Sequence, residues 1–317
     1  MGIFYKKSDI PDHLQKYFVP AEIGLEQTPE QYIAAMVEVF RCVRDVLSDD
    51  GTLWLNIGDS YAGSWGNQGR KEVRGMQRPI NGEMMQQVHD GRYPTTGSKT
   101  GSLERTPGCK NKDLIGIPWM LAFALRADGW YLRQDIIWAK PNPMPESVRD
   151  RCTKAHEYVF LLSKSERYFF DSGAMKEPAV STAPSGNGFA GRQGGSERVG
   201  PQSGGAGTDE HWQPGGMRNR RSVWSVATKP YAGAHFATFP EKLIEPCILA
   251  GSRRGDIVLD PFMGSGTTAA VALQHGRQYL GCELNAEYGA LQAERINEAM
   301  EAVAEAAAQP DLFERAA

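Results

Sequence analysis

The sequence predicts an α/β fold with a mostly parallel sheet, on three observations. Residues 256–285 run strand, glycine turn, helix, strand, acid, the order of a ligand-holding βαβ unit. Residues 29–57 and 117–138 each pass from an amphipathic helix into a short apolar strand, and helices alternating with strands point to a sheet covered on its faces. Two long polar excursions interrupt the pattern, and loops of that length inside a compact domain are commonly functional.

In chain order, Met1 to Lys7 holds a short strand and Ser8 to Lys16 a loop with a helical turn. Thr28-Pro29-Glu30 is an N-cap followed by proline at the first helical position. Ile33, Met36, Val37, Phe40, Val43 and Leu47 recur at helical spacing, so a helix spans about 29–47 with an apolar stripe facing the core. Asp49-Asp50-Gly51 turns the chain into a buried strand, Thr52 to Ile57, which ends in Gly58-Asp59-Ser60-Tyr61. Residues 62–112 contain little that is apolar or periodic.

Ile117-Pro118-Trp119 opens a second helix through about Ala127, with Gly129 beyond it. Tyr131 to Trp138 is a strand, followed by Lys140-Pro141-Asn142-Pro143. His156 to Leu162 forms another strand, and Tyr168 to Asp171 a further short one. Residues 172–222 are rich in Gly, Ser, Gln and Arg, and 189–216 carry no core-forming pattern and read as mobile.

Ile257, Val258 and Leu259 are the aliphatic run of a buried parallel strand. Pro261 stops it, since proline cannot extend a central strand. Gly264 and Gly266 follow, Thr267 and Thr268 open a helix to about Leu273, and Gly276 ends it. Tyr279 to Gly281 is the next strand, with Glu283 at its tip, and a last helix covers about 288–306. Glycines let backbone approach a ligand, a helix N-terminus offers free N–H groups, and an acid ending the second strand accepts from both hydroxyls of a ribose. Asp260 is placed to face a ligand ammonium group. A nucleoside with a positive charge suits this set better than a dinucleotide pyrophosphate, because the third glycine of the dinucleotide fingerprint is missing.

With a formal net charge of −3, the chain as a whole does not advertise nucleic acid. Its distribution does: 64–112 and 192–229 are rich in Arg and Lys, while the stretch after Glu283 is mostly acidic. The 5 cysteines are scattered without metal-ligand spacing, so no metal site is expected, and they suit a reducing cytoplasm. No apolar run reaches membrane-spanning length, and the N-terminus has no signal-peptide pattern.

Asp260-Pro261-Phe262-Met263-Gly264-Ser265-Gly266-Thr267-Thr268 resembles the S-adenosylmethionine loop of DNA amino-methyltransferases. His235 to Leu243, just upstream, resembles the helix-opening motif of that family in the class whose cofactor half comes last, the β arrangement. The resemblance covers about Ile23 to Glu298 and implies a Rossmann-like sheet with one antiparallel strand. It implies S-adenosyl-L-methionine as cofactor, double-stranded DNA as substrate, and methylation of adenine N6 or cytosine N4. The implied cofactor contacts are Phe236, Thr238 and Phe239 at the methionine part, the loop residues Asp260, Pro261, Phe262, Gly264, Gly266 and Thr267, and Glu283 with Asn285 at the ribose. Leu53 to Tyr61 and Ile136 to Pro143 resemble segments bordering a base rotated out of the duplex: Trp138 either stacks there or is a core tryptophan ending its strand, Asn142 is expected to hydrogen-bond and Asp59 to position the pocket or cap a helix. Arg218, Arg220 and Arg221 are expected to clamp phosphates.

On this reading 1–171 is the target-base half, 172–229 an inserted mobile recognition segment, 230–300 the cofactor half and 301–317 a flexible tail. Gln309, Leu312 and Phe313 resemble the short peptides that dock on sliding clamps. The family's Asp/Ser/Asn-Pro-Pro-aromatic tetrapeptide, expected before the helix at 29–47, has no counterpart, because no two prolines adjoin. The expectation is a chain incomplete at its N-terminus, with catalytic residues unassigned. Two rivals remain: a remnant that binds cofactor and DNA without transfer, and a nicotinamide-linked oxidoreductase using the Gly-x-Gly turn.

Overall fold

In the computed structural model, residues 3–4, 23–62, 108–179, 216–228 and 239–308 are described. The elements are β1 (Ile3–Phe4), α1 (Pro29–Val46), β2 (Thr52–Ile57), α2 (Ile117–Ala127), β3 (Tyr131–Ala139), β4 (His156–Ser163), β5 (Lys176–Pro178), β6 (Met217–Asn219), β7 (Val223–Ser225), α3 (Glu241–Gly251), β8 (Ile257–Asp260), α4 (Thr267–Gln274), β9 (Gln278–Cys282) and α5 (Gly289–Ala308). The helix start at Pro29 follows from its cap: the Thr28 hydroxyl accepts the Gln31 N–H at 3.2 Å.

One sheet has the order β2-β4-β3-β7, and a second the order β1-β9-β8. β4 runs antiparallel to both β2 and β3, and β3 runs parallel to β7. β4 is therefore the reversed strand among neighbours of one direction. The β1-β9-β8 sheet is parallel throughout. β5 and β6 form a separate antiparallel ribbon.

Strand side chains alternate between faces, and β4 shows what each face meets. Phe160 and Leu162 join one core with Leu55 of β2, the α1 stripe of Ile33, Met36, Val37, Phe40 and Val43, and Leu121 and Leu125 of α2. Val159 joins Ile136 and Trp138 of β3, Trp224 of β7, and Leu243 and Cys247 of α3 in another. The larger sheet is thus covered by α1 and α2 on one side and by α3 on the other. α4 and α5 pack together, and α4 lies on β8 and β9.

The two sheets are tied at one end. Arg253, just before β8, pairs with Asp50, just before β2, at 2.9 Å. Gly251 ends α3 so near β2 that a Cβ there would stand 2.6 Å from the Thr52 hydroxyl and 2.7 Å from the Trp54 indole nitrogen, which leaves room for glycine alone. β2 and β8 start together, so their last residues, Ile57 and Asp260, emerge at the opposite edge. Leu259 packs on the core that holds Ile57 and Leu55.

The strand expected at 168–171 is absent. The Phe169 N–H donates to Asp50 at 2.8 Å and the Asp171 N–H to Ala250 at 2.9 Å, so this segment spends its backbone bonds on two loops and forms no ladder. The mobile stretch expected at 189–216, apart from Gly216, lies outside the described residues, as does most of the polar excursion at 62–112. No helix among the described residues is long and apolar enough to cross a membrane.

Candidate functional site

The loop between β8 and α4 is fixed from inside. One carboxylate oxygen of Asp260 accepts the Phe262 N–H at 2.9 Å, and the other accepts the Thr268 hydroxyl at 2.6 Å. Both oxygens thus tie the end of β8 to the first turn of α4, and each keeps a second acceptor site. Burial raises the pKa of this carboxyl; the Thr268 and Phe262 hydrogen bonds oppose the rise, and the nearby Glu283 charge adds to it.

Gly264 and Gly266 both take left-handed backbone, at φ +54° and +83°. The Gly264 N–H donates to one oxygen of Glu283 at 2.8 Å, and the Asn285 N–H donates to the other at 2.8 Å. The carboxylate is thereby aimed by two backbone groups. Each oxygen of an ionised carboxylate can accept two hydrogen bonds, so Glu283 keeps one acceptor site per oxygen for the two hydroxyls of a ribose. Asn285 contributes its backbone, while its side chain caps the following turn by accepting the Glu287 N–H at 3.0 Å. Phe262 and Leu284 stand about half exposed, at 48% and 54%. An acid with acceptor sites to spare and two uncovered apolar side chains near it in the chain fold suits a nucleoside. Phe239 is partly buried against the α3 face of the sheet, and Phe236 and Thr238 lie outside the described residues.

Behind the loop stand two residues that the sequence reading passed over. Gln292 of α5 is 1% exposed, and its amide donates to the Gly264 carbonyl at 2.5 Å. Arg295, one turn on, donates to the Ser265 hydroxyl at 3.0 Å and to that of Thr267. Thr267, at 4% exposure, accepts from α5. A lone Gln and Arg on a polar helix carry no signal of this in sequence.

On the target side the residues expected to meet a base are occupied. Trp138 is 3% exposed; its indole N–H donates to the Val226 carbonyl at 2.7 Å, and the Lys140 ammonium lies 4.3 Å from its ring centre. It is a core residue here, the alternative to stacking. Asn142 is consumed by Thr228, donating to its carbonyl at 3.1 Å and accepting its N–H at 2.9 Å. Asp59 caps α2, one oxygen accepting the Gly116 N–H at 2.9 Å and the Ile117 N–H at 3.1 Å. His156 packs edge-on against Tyr158.

Unforeseen here is a polar knot at the strand ends. Glu157 pairs with Lys140 and accepts from the Asn56 amide at 3.3 Å. Lys154 donates to the Asp59 carbonyl at 2.9 Å, and burial lowers its pKa.

The three recognition arginines are also engaged. Arg218 and Arg221 both pair with Glu177 across the β5–β6 ribbon, at 2.9 and 3.2 Å. Arg220 lies 5.4 Å from the Trp224 ring centre. Gln309, Leu312 and Phe313 lie outside the described residues.

A family described as DNA methylase, the N6/N4 group, matches residues 9–294. The chain is 45% identical over 287 residues to the Type II methyltransferase M.XycI of Xanthomonas campestris pv. cyanopsidis, spanning 89% of this chain and 77% of that protein. To M.SmaI of Serratia marcescens it is 44% identical over 283 residues, spanning 89% and 80%. Among solved structures it is similar to the PvuII DNA methyltransferase (cytosine-N4-specific), with a TM-score of 0.52 and 16% identity over 87% of this chain and 77% of that one. At that identity the likeness speaks for the fold alone.

Proposed function

The chain belongs to the DNA methylase family of N6 and N4 enzymes, and from that premise we infer how its residues serve methyl transfer from S-adenosylmethionine to an exocyclic amine of adenine or cytosine in DNA. The nicotinamide reading falls with the family match. S-adenosylmethionine, when bound, supplies an electrophilic methyl group. The protein's part at the cofactor is recognition. Glu283 offers its two remaining acceptor sites to the ribose, Gly264 leaves the approach free of side chain, and Phe262 and Leu284 wall the base.

The observation that carries this reading is the Gly264–Glu283 bond, because it aims the carboxylate before any ligand arrives. Replacing Glu283 by Ala removes acceptors for two hydroxyls and leaves the Gly264 N–H without its partner. Bonds to a charged group contribute about 1.5–3 kcal/mol each, so affinity for S-adenosylhomocysteine should fall by about 100-fold or more. Calorimetry reads this directly, and unchanged affinity in Glu283→Ala ends the assignment.

DNA recognition belongs, on this proposal, to the segment 172–229. Its arginines contact Glu177 and Trp224, and each guanidinium keeps N–H groups for phosphate.

A second reading, a chain that binds cofactor and DNA without transferring, is favoured by one observation: no two prolines adjoin in the sequence. A tritium-transfer assay on DNA separates the two, since binding without incorporation supports the second.

A further inference from the structure

We propose that Gln292 and Arg295 of α5 are positioning residues for the methyl donor, an inference that rests on the donor lying at the Gly264–Glu283 loop. The peptide groups flanking the Gly264 Cα are held from two directions. The Gly264 N–H is spent on Glu283 at 2.8 Å, and its C=O is spent on the Gln292 amide at 2.5 Å. These groups belong to the two peptide planes that meet at the Gly264 Cα, so the Glu283 bond restrains the plane on one side of it and the Gln292 bond the plane on the other.

Glycine at φ +54° has no side chain to resist rotation, and a half-buried carbonyl left without a partner bears part of its desolvation cost. Gln292 supplies that bond from a helix packed on α4, not from the loop itself. Gly266 is fitted to the same residue: a Cβ there would lie 3.4 Å from the Gln292 Cα. Three residues along, and so on the same helix face, Arg295 holds the hydroxyls of Ser265 and Thr267, both 4% exposed. The loop is therefore held by α5 at Gly264, Ser265 and Thr267, while Gly264 also bonds the Glu283 carboxylate. α5 acts on the ribose acceptor through Gly264 and touches no ligand.

The test uses the full chain and S-adenosylhomocysteine. Gln292→Met keeps the length and removes the donor, leaving the Gly264 carbonyl unpaired; affinity should fall by about 10-fold. Arg295→Gln, at a partly exposed site, should weaken binding by about 3-fold and stands in if Gln292→Met does not fold. A double-mutant cycle with Glu283→Gln reads the pathway: a residue acting through Glu283 gives strongly non-additive losses, whereas one that only stabilises α5 gives additive losses. Wild-type affinity in both single variants, or additivity in the cycle, overturns the proposal. Wild-type protein that ignores S-adenosylhomocysteine overturns the donor reading and this inference with it; a binding wild type with indifferent variants overturns this inference alone.

Discussion

The two ends of the strand edge treat their polar side chains in opposite ways. Around β8 and β9 the side chains are spent on shaping a loop, and the shape leaves an acid with lone pairs to spare: Asp260 and Thr268 close the turn, Gln292 and Arg295 hold it, and Glu283 faces out. Around β2, β3 and β4 the polar side chains expected to meet a base all bond to the protein. The Trp138 indole serves Val226, both ends of the Asn142 amide serve Thr228, and Asp59 serves α2. A glycine turn announces a ligand by what it omits. An indole or an amide in the same sequence says nothing about whether its polar atom is free.

The largest test of that contrast is Trp138→Ala. Deleting a large buried aromatic costs about 3–5 kcal/mol, and here the Val226 carbonyl also loses its donor. Chemical denaturation should show a loss of that size. A variant with an unchanged denaturation midpoint and lost DNA affinity would return Trp138 to the base pocket and erase the difference between the two ends.

Gly266→Ala probes the other end at smaller scale. A left-handed non-glycine residue costs about 1–2 kcal/mol, and the new methyl must push against Gln292 at 3.4 Å. Stability should fall by about that amount, together with affinity for S-adenosylhomocysteine. Loss of stability with full affinity would show that the loop's shape is irrelevant to the donor, and would make the two ends alike.

Much of this was readable before the structure. Helices α1 and α2 and strands β2 to β4, β8 and β9 fall where period and capping placed them, because each carries its own pattern: the Thr28-Pro29 start, the α1 stripe, the aliphatic run before Pro261. The glycine–acid pair was readable for the same reason, being set out within one short stretch. What was not readable depends on distant partners. Tyr168 to Asp171 has strand composition, yet its backbone bonds go to Asp50 and Ala250, far away in sequence. Glu157 and Lys140 look like surface charges until β3 and β4 bring them together, and Gln292 gains its role only when α5 folds over the loop.

The smallest effect is the most selective, and it concerns Asp260. Burial holds its pKa above the ordinary carboxylate value in the ligand-free protein. A raised acid adds stability that is fully present below its unfolded pKa and is lost as pH rises through the folded one. Ligand-free stability should therefore decline across that window. A bound cation acts the other way, because it favours the ionised carboxylate. Affinity for S-adenosylmethionine should rise through the same window by a few-fold, then level off, with protons released on binding at its acid end. The effect is small because the bonds from Phe262 and Thr268 already favour the ionised carboxylate. Calorimetry in two buffers of different ionisation enthalpy counts the protons, and Asp260→Asn should flatten both slopes. Slopes that persist in Asp260→Asn would mean that this carboxylate only closes the turn, and that a cationic ligand is sensed elsewhere.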